Sequence, residues 1–375
     1  MFELTKQQEM LRDMVREFAE TELAPKALEL DRKGEYPRDL VRKLGDQGLI
    51  GMAASKDLGA SGMGYLAGTI AIEELGRVYP SLAFLLEVSQ APIYAIENYG
   101  TEEQKKQYLP DVIKGDKIMS IAATEATGGS VLANPATEAV ADGDGYVING
   151  RKVYITNGGV ADHCVVLAKT GEKTSTFIVD KDNPGFVVSR RQEMTGFKAV
   201  DVSEISFNDC RVSKDALIGK EGAGLGVAMN AFSVNRPAIG AIGLGIARGA
   251  FEIAVKYAKE RILNGKPITA LQAVQFMLVD METQIDAAKW LIYYPCAILD
   301  QGGDPRTIGK HAARAKVVGA QAALDVTQQA MQILGGYGVS PEYHLPRLLN
   351  DALELFPAEG TSQVMKVIQA GAIVR

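Results

Sequence analysis

The spacing of apolar residues divides the chain into a helical part, a β part and a second helical part. In the first 115 residues, apolar residues recur at helical spacing over 6–23 and 40–49, and a third helical run opens at 68–74. Glycine and proline residues separate these runs. From about residue 120 the period changes to one that is typical of strands.

The β part contains several short apolar runs. Residues 146–154 alternate between apolar and polar, and Asn149-Gly150 in their middle is a strong turn signal, so we expect a hairpin there. Further runs at 164–168, 176–179 and 185–188 are separated by polar turns such as 171–173. This regular spacing predicts a small β-barrel or sandwich.

After Gly226 helical spacing returns in long runs over 238–260, 272–300 and 306–334, which fit an antiparallel bundle. We therefore predict a mainly α fold with a central β domain. An N-terminal helical domain (1–118) and a small β-barrel or sandwich (119–227) would precede a C-terminal four-helix-type bundle (228–375). No low-complexity linker or internal repeat separates these regions, so we expect them to pack closely.

The composition is that of an ordinary soluble protein. Of the 375 residues, 47% are hydrophobic and 23% are charged, and the net charge is −6. This balance gives no reason to expect nucleic acid or an anionic membrane as a partner. The N-terminus lacks the basic and apolar regions of a signal peptide, and no continuous run of about eighteen apolar residues occurs. We therefore predict a cytoplasmic protein without a membrane span.

The cysteines and histidines are few and scattered. Their spacing fits neither a disulfide framework nor a zinc site. They are Cys164, Cys210, Cys296, His163, His311 and His344. No His-Glu-x-x-His or Gly-x-Ser-x-Gly pattern occurs. We therefore predict reduced, buried thiols and no metal site, and serine-hydrolase chemistry loses support.

Two glycine clusters could be mistaken for nucleotide-binding motifs. Residues 243–249 nearly match Gly-x-Gly-x-x-Gly, but one interval is a residue too long and no strand precedes them. Close approach between helices explains these glycines better. The cluster at 335–338 follows a long helix, where it can end the helix and expose backbone N–H groups to an anion; a plain helix cap remains the alternative.

The sequence Ala-Glu-Gly-Thr at 358–361 is the strongest candidate for chemistry. Residues 356–357 stop the preceding helix, Gly360 lets the backbone approach a ligand closely, and 361–362 can cap the next helix. Glu359 could abstract a proton, although a glutamate at a helix start is more often a cap that compensates the helix dipole.

Several segments resemble the acyl-CoA dehydrogenase flavoprotein family, in order and spacing, over essentially the full chain. They are Lys-Val-Tyr-Ile-Thr-Asn-Gly-Gly at 152–159, Asn-Arg-Pro at 235–237, Gln-Ile-Leu-Gly-Gly-Tyr-Gly at 332–338 and Ala-Glu-Gly-Thr at 358–361. The resemblance implies an acyl-CoA thioester substrate, an FAD cofactor, a homotetramer, and electron transfer flavoprotein or a similar protein as electron acceptor.

The resemblance also implies individual residue roles. Tyr154 would stack near the flavin ring, and Thr156 would hydrogen-bond its N5 side. The implied cofactor-binding residues are Thr124, Ser130, Tyr154, Thr156, Arg261, Gln272, Gln332, Gly335, Gly336 and Thr361, some of them acting across a subunit interface. The implied substrate-binding residues are Arg236, Ala358 and Gly360.

In the implied reaction, Glu359 removes the Cα proton of the acyl group and the Cβ hydride passes to flavin N5. The Glu359 N–H and a flavin ribityl hydroxyl would hold the thioester oxygen. Shielding by ligand and flavin should raise the pKa of Glu359, because burial disfavours the charged carboxylate. Some family members carry the base where Asn235 stands, and an amide cannot accept a proton, which strengthens the assignment of Glu359.

Three positions depart from the family pattern. The flavin-contacting segment at 124–131 lacks a proline and a terminal aspartate. Asn264 stands where phenylalanine is usual, so we expect reduced affinity for FAD. Ala358 replaces a common tyrosine beside the base, which suggests a wider pocket and a branched or alicyclic acyl group.

Two alternative functions stay open at this point. A family-like scaffold without redox turnover could serve as a binding subunit, which the altered flavin segment and Asn264 favour and Glu359 opposes. An acyl-CoA reductase or an oxidase could use the same residues, because these residues do not determine the direction of electron transfer.

Overall fold

The structure, a computed structural model, describes residues 3–374, without the side chains of residues 305 and 306. Residues 1, 2 and 375, which the predicted first and last domains include, lie outside the described residues. The N-terminal part is helical, as the apolar spacing predicted, with seven α-helices among the described residues. They are α1 (Lys6–Phe18), α2 (Ala27–Lys33), α3 (Arg38–Asp46), α4 (Tyr65–Val78), α5 (Pro80–Val88), α6 (Gln90–Tyr99) and α7 (Glu102–Ile113).

The first helix shows how local sequence fixes the helix start. Thr5 is the N-cap of α1, and its side chain accepts a hydrogen bond from the Gln8 backbone at 3.2 Å. The Gln8 side chain accepts one from the Thr5 N–H at 3.0 Å, which completes a capping box. After Phe18 the helix continues as one π-helical segment, Ala19–Leu23. The predicted helix over 6–23 is thus confirmed.

The central part forms eight strands, which confirms the predicted change of period. They are β1 (Met119–Ala122), β2 (Glu138–Asp142), β3 (Gly145–Thr156), β4 (His163–Thr170), β5 (Lys173–Asp180), β6 (Phe186–Arg191), β7 (Val202–Ser213) and β8 (Leu217–Ile218). Their order in the sheet is β6-β7-β3-β2-β4-β5-β8, with β1 parallel to β4. Ile148, Phe177 and Phe207 belong to the apolar core of this sheet.

The predicted hairpin turn at Asn149-Gly150 is wrong. Strand β3 runs through these residues without a break, and the register against β7 shifts between Ile148 and Gly150, which marks a β-bulge. Gly150 has φ 153°, and a Cβ there would lie 2.5 Å from Thr137 Cα. Glycine is therefore required by a bulge and a close backbone approach, which produce the same sequence signal as a turn.

The C-terminal part forms five α-helices and one short hairpin. The helices are α8 (Gly224–Glu260), α9 (Gln272–Asp300), α10 (Pro305–Leu334), α11 (Leu345–Glu354) and α12 (Ser362–Ile373). The hairpin strands β9 (Ile262–Leu263) and β10 (Lys266–Pro267) join α8 to α9. The three long predicted helices are confirmed, and α8 begins earlier than expected. The domain boundaries at 118/119 and 227/228 stay a prediction.

Helix α8 combines great length with an apolar composition. By length and composition it could cross a membrane, with a mean hydropathy of 1.6 in its most apolar window, although no continuous apolar run indicated this. However, 72% of that window is buried inside the protein. An apolar helix that is covered by other helices has the composition of a core helix.

Glycines let α8 approach its neighbours without intervening side chains. A Cβ on Gly243 would lie 2.3 Å from the Gly319 carbonyl of α10, and one on Gly245 would lie 2.4 Å from the Glu73 carbonyl of α4. Real Cβ atoms do not come this close to backbone. The prediction that the 243–249 glycines allow helix approach is thus confirmed, and a dinucleotide-binding loop at this position is excluded because the segment lies inside a helix.

We expect Gly319→Ala to lower the free energy of unfolding by about 1–3 kcal/mol, because its Cβ would lie 2.2 Å from the Gly240 carbonyl and force α8 and α10 apart. Gly309→Ala is the matched control on α10, since a Cβ there meets open space. It should raise stability by up to about 1 kcal/mol through helix propensity. Urea unfolding of both variants measures the difference, and equal stabilities would contradict the close approach.

Candidate active site

Glu359 lies in the short loop between α11 and α12. The loop holds two residues in the left-handed region, with φ 48° at Glu359 and 95° at Gly360. A non-glycine residue in this region is uncommon and often marks a functional position. Thr361 is the N-cap of α12, and its Oγ1 accepts a hydrogen bond from the Val364 N–H at 3.2 Å. The predicted helix stop and helix cap around Glu359 are both confirmed.

Lys316 of α10 holds this loop from inside the protein. Its Nζ donates hydrogen bonds to the Phe356 carbonyl at 2.7 Å and to the Gly360 carbonyl at 3.0 Å, so it holds the backbone on both sides of Glu359. The Lys316 side chain is fully buried. Burial lowers the pKa of this ammonium to about 8, although the charge of Glu359 opposes the shift.

The side-chain amide of Asn235 links Glu359 to a second carboxyl group, that of Glu87. The Asn235 Nδ2 on α8 donates to Glu359 Oε1 at 2.8 Å and also to Glu87 Oε1 on α5. Asn235 and Glu87 are buried, and Glu359 is half-buried with its Oε2 atom buried. Burial raises the pKa of Glu359, against the Asn235 hydrogen bond and the charge of Arg236. Burial raises the pKa of Glu87 as well, and the negative charge of Glu359 adds to this effect.

Arg236 is the neighbour of Asn235 on α8 and is 4% exposed. Its Nη1 donates to Ser233 Oγ at 3.4 Å, and its Nε atom has no hydrogen-bond partner in the part of the chain that the structure describes. Burial lowers its pKa, and the charge of Glu359 opposes this. The structure therefore brings Arg236 and Glu359 together, as predicted, and adds Glu87, Asn235 and Lys316 to the same buried pocket.

A second group of predicted residues lies on the β domain. Tyr154 and Thr156 lie on β3, and the N–H of Val153, the residue before Tyr154, donates to the Thr124 carbonyl at 3.0 Å. The Tyr154 side chain is 61% exposed at φ 55°, an unusual position for a large aromatic ring. Ser130 is exposed in the same 124–131 segment as Thr124. An exposed ring beside several hydroxyls fits a flat aromatic cofactor with hydrogen-bonding edges.

Glu125 anchors the 124–131 segment from beneath. Its two carboxylate oxygens accept hydrogen bonds from the Ala136 and Thr137 N–H groups, and Oε1 also accepts one from the buried Lys152 Nζ at 2.8 Å. Burial alone would raise the pKa of Glu125, but hydrogen bonds from Lys152 and Thr137 lower it to about 2. The segment keeps a fixed base although it lacks the proline of the family pattern.

A third group lies at the ends of the long C-terminal helices. Arg261 follows α8, Gln272 opens α9, and Gln332 lies in the last turn of α10, and all three are exposed. Gly335, at φ 60°, and Gly336 have nothing within 4 Å of an added Cβ, so their backbone is open to a ligand. None of the hydrogen bonds found among residues 3–374 joins this group to the Tyr154 group.

Asn264 has a structural role that the sequence comparison missed. It forms the turn between β9 and β10 together with Gly265, with φ 49° and 79° at the two positions. Asparagine and glycine are the residues that favour such a two-residue hairpin turn. The choice of asparagine is thus explained by backbone conformation, whereas reduced FAD affinity from a lost apolar side chain stays a prediction.

Family models match nearly the whole chain. The N-terminal, middle and C-terminal domains of acyl-CoA dehydrogenases match residues 5–116, 120–210 and 222–373. A curated relative, the short-chain specific acyl-CoA dehydrogenase of Clostridium acetobutylicum, is 40% identical over 100% of both chains. The chain belongs to the acyl-CoA dehydrogenase family. The predicted fold, the FAD cofactor and the oxidoreductase function on an acyl-CoA thioester are thereby confirmed.

Other similar proteins share the architecture or a related activity. Acryloyl-CoA reductase (NADH) of Anaerotignum propionicum is 39% identical over 100% of this chain and 96% of its own. Butyryl-CoA dehydrogenase of Megasphaera elsdenii superposes with a TM-score of 0.97 at 33% identity, covering 100% of both chains. A structure from work on the electron transferring flavoprotein of Acidaminococcus fermentans has the same TM-score at 37% identity and the same coverage.

Sequence reasoning did not single out Glu87, Glu125 or Lys316. A signal existed for two of them, because Glu87 is the one charged residue of the otherwise apolar helix α5, and Lys316 lies within an alanine- and valine-rich run of α10. A charge inside an apolar helical run indicates a buried partner. It does not identify that partner, which is distant in the chain in both cases.

We expect Lys316→Met to reduce the rate of substrate-dependent flavin reduction roughly 10²-fold, because a base displaced by about 1 Å loses this much. The loop loses both hydrogen bonds that hold it on either side of Glu359. Stopped-flow absorbance measures the rate, and circular dichroism checks the fold. Lys310→Met, an exposed position on the same helix, is the control. An unchanged rate in a folded Lys316→Met protein would contradict this role.

Proposed function

We propose that this chain oxidises a short acyl-CoA thioester between Cα and Cβ, with Glu359 as the base that takes the Cα proton. The observation that carries the proposal is the Glu359 carboxylate itself: one oxygen is oriented by Asn235 and the other, Oε2, is buried and has no partner among residues 3–374. An oriented carboxylate with a free oxygen and a raised pKa is suited to accept a proton near neutral pH.

The backbone around Glu359 offers a donor for the substrate. In the described part of the chain, the Glu359 N–H is not the donor of any hydrogen bond found. Its orientation follows from the left-handed conformation of Glu359 and Gly360. We infer that this N–H holds the thioester oxygen, where negative charge develops as the Cα proton leaves, and that Ala358 and Gly360 line the same place. Arg236 supplies a nearby positive charge.

FAD, when bound, accepts the Cβ hydride. We assign its flavin ring to the side of β3 that bears Tyr154 and Thr156, with the Thr124, Ser130 and Thr361 hydroxyls as further hydrogen-bonding groups. The open backbone at Gly335 and Gly336, with Arg261, Gln272 and Gln332, suits the phosphates and adenosine of an FAD held by a second copy.

The acyl pocket is best suited to a short chain. The polar side chains of Asn235 and Glu87 lie next to Glu359, and we infer that they limit the room beside the base for a long alkyl chain. The relatives named for short-chain and butyryl substrates support this size. Because the side chain of Ala358 is small, a branched or alicyclic acyl group stays a prediction for the same pocket.

Dehydrogenation is favoured over the alternative directions. One relative, acryloyl-CoA reductase, supports the alternative function as a reductase. The residues around Glu359 could serve either oxidation or reduction of the acyl group. An electron transfer flavoprotein as acceptor is supported by the name of a similar structure. We also propose a cytoplasmic location, which the composition supports. A scaffold without redox turnover is disfavoured as the function, because the buried charged groups around Glu359 have no evident role unless the protein is catalytic.

We propose that a second copy of the chain packs against the exposed face of α9. Apolar residues on one face of this helix are exposed, with Phe276 and Val279 both at 59% and Tyr294 at 41%. The described apolar residues of α10, in contrast, are largely buried within the chain. Gln272 opens α9, and Arg261 lies in the segment that joins α8 to α9, so we infer that a homotetramer would bring both toward a neighbouring subunit.

We expect Glu359→Gln to lower the rate of flavin bleaching by an acyl-CoA thioester by roughly 10²–10⁴-fold, because the amide cannot accept the Cα proton. The experiment mixes FAD-loaded protein with a thioester under anaerobic conditions and follows the visible spectrum. Glu342→Gln, an exposed glutamate, controls for the substitution. Bleaching at the normal rate in Glu359→Gln would assign the base elsewhere.

We expect butyryl-CoA and branched C4 to C5 thioesters to bleach the flavin faster than octanoyl-CoA, because Glu87 limits the room beside the base. A panel of straight, branched and alicyclic CoA thioesters compares the rates. Faster bleaching by octanoyl-CoA would refute the short pocket. Preference for butyryl-CoA over every branched or cyclic thioester would refute the wider pocket expected from Ala358.

We expect Phe276→Asp to reduce the molar mass in solution, because a carboxylate in an apolar subunit contact has no partner. Light scattering on the wild-type protein and the variant measures the mass. Glu282→Gln, a polar position outside this face, should leave it unchanged. A monomeric wild-type protein would exclude the proposed subunit contact at α9.

A further inference from the structure

Two carboxyl groups share one amide in the pocket. An amide NH₂ group has two N–H bonds, and Asn235 uses one for Glu87 and the other for Glu359. Because both Oε1 atoms bind the same nitrogen, the two carboxyl groups are neighbours. The remaining oxygens, Glu87 Oε2 and Glu359 Oε2, are buried and have no partner within the described residues. The amide alone therefore does not satisfy the pair.

A proton is the missing partner. Two ionised carboxylates in contact repel each other strongly in a buried site, so one of them holds a proton in the resting protein. A protonated carboxyl group then supplies an O–H donor that its neighbour can accept. One shared proton thus removes the repulsion and provides a hydrogen bond that Asn235 cannot supply.

The surrounding charges decide which carboxyl group holds the proton. The Arg236 guanidinium of α8 lies beside Asn235 in the chain, and the Lys316 ammonium of α10 binds the backbone on both sides of Glu359; both positive charges favour the ionised form of Glu359. Glu87 lies in the apolar helix α5, and Glu359 is the charged group that acts on it. Glu87 is also the more deeply buried, with 0% exposure. The proton therefore belongs on Glu87.

We propose that Glu87 and Glu359 hold a single proton between them, which resides on Glu87 and leaves Glu359 ionised. The inference rests on the proposed role of Glu359 as the base. Glu87 is then a positioning residue: the O–H at its Oε2 donates to Glu359 Oε1, and together with Asn235 it fixes the direction of the carboxylate. Glu359 Oε2 stays free to take the Cα proton. The base stays charged beside the substrate without a second negative charge in the pocket.

The pH dependence of catalysis tests the proposal, because the proposal predicts the direction in which the acid limb of kcat/KM shifts when Glu87 is replaced. Glu359 must be ionised to accept the Cα proton, so the acid limb of kcat/KM reports its pKa. If Glu87 is protonated, Glu87→Leu removes a hydrogen bond to the Glu359 carboxylate, and the acid limb moves to higher pH by roughly one unit. Glu87→Gln keeps a neutral donor, so its limb should stay near that of the wild-type protein.

The opposite result would overturn the proposal. If Glu87 were ionised at neutral pH, both substitutions would remove a negative charge next to Glu359, and both acid limbs would move to lower pH. A limb that does not move in Glu87→Leu would equally show that Glu87 does not act on the base. A purely structural role would change the rate without moving the limb.

Infrared spectroscopy tests the proton directly and needs no turnover. At neutral pH we expect a carboxylic acid C=O band that shifts when the wild-type protein is labelled with ¹³C-glutamate. Burial raises the pKa of Asp351 to about 7, so this aspartate can add a band, but glutamate labelling does not shift it. The labelled band should vanish in Glu87→Gln and persist in Glu359→Gln.

The two assays separate two kinds of failure. No labelled band in the wild-type protein, or a band that persists in Glu87→Gln, would overturn the shared proton whatever the enzyme catalyses. Failure of every thioester to bleach the flavin would remove the proposed function and leave the infrared result to decide on the proton. If Glu87→Gln does not fold, the labelled wild-type and Glu359→Gln proteins still test the proposal: a band in both supports a proton on Glu87, and a band that is lost in Glu359→Gln contradicts it.

Discussion

Backbone contact along α8 is the constraint on which the rest of the structure depends. At Gly243 and Gly245 this helix touches the main chain of α10 on one side and of α4 on the other, with no side chain between them. Helices that pack this closely have little freedom to slide. Asn235 on α8 and Lys316 on α10 are therefore held in fixed relation, and α5, which follows α4 after the single residue Tyr79, brings its own polar group to the same place.

The site around Glu359 balances opposite charges among largely buried side chains. Glu359 stays in an unfavourable backbone conformation because the buried Lys316 binds carbonyl groups on both sides of it. Burial makes the lysine easier to deprotonate and the carboxyl groups harder to ionise, so each group depends on the charge of the others. Arg236 contributes a positive charge without contacting Glu359 directly. The reactivity of the base is thus a property of several helices together.

Much of the fold could be predicted from the sequence, because apolar periodicity reports burial within one element. The long helices, the strands and the loop of Glu359 follow from such local patterns. Gly150 was misread because a bulge and a turn both require glycine, and Asn264 because its role lies in backbone conformation rather than side-chain area. Glu87 and Lys316 were missed because their partners come from distant parts of the chain, which one sequence does not pair.

The 124–131 segment combines a fixed base with an exposed tip. Glu125 and the buried Lys152 fix the base of the segment from below, while residues 126–131 at its tip are mostly exposed and touch little of the core. Substitutions at the tip, such as the missing proline, can therefore accumulate without disturbing the strand beneath. If FAD binds where we propose, sequence change at the tip would alter how long the cofactor stays bound and would leave the residues around Glu359 in place.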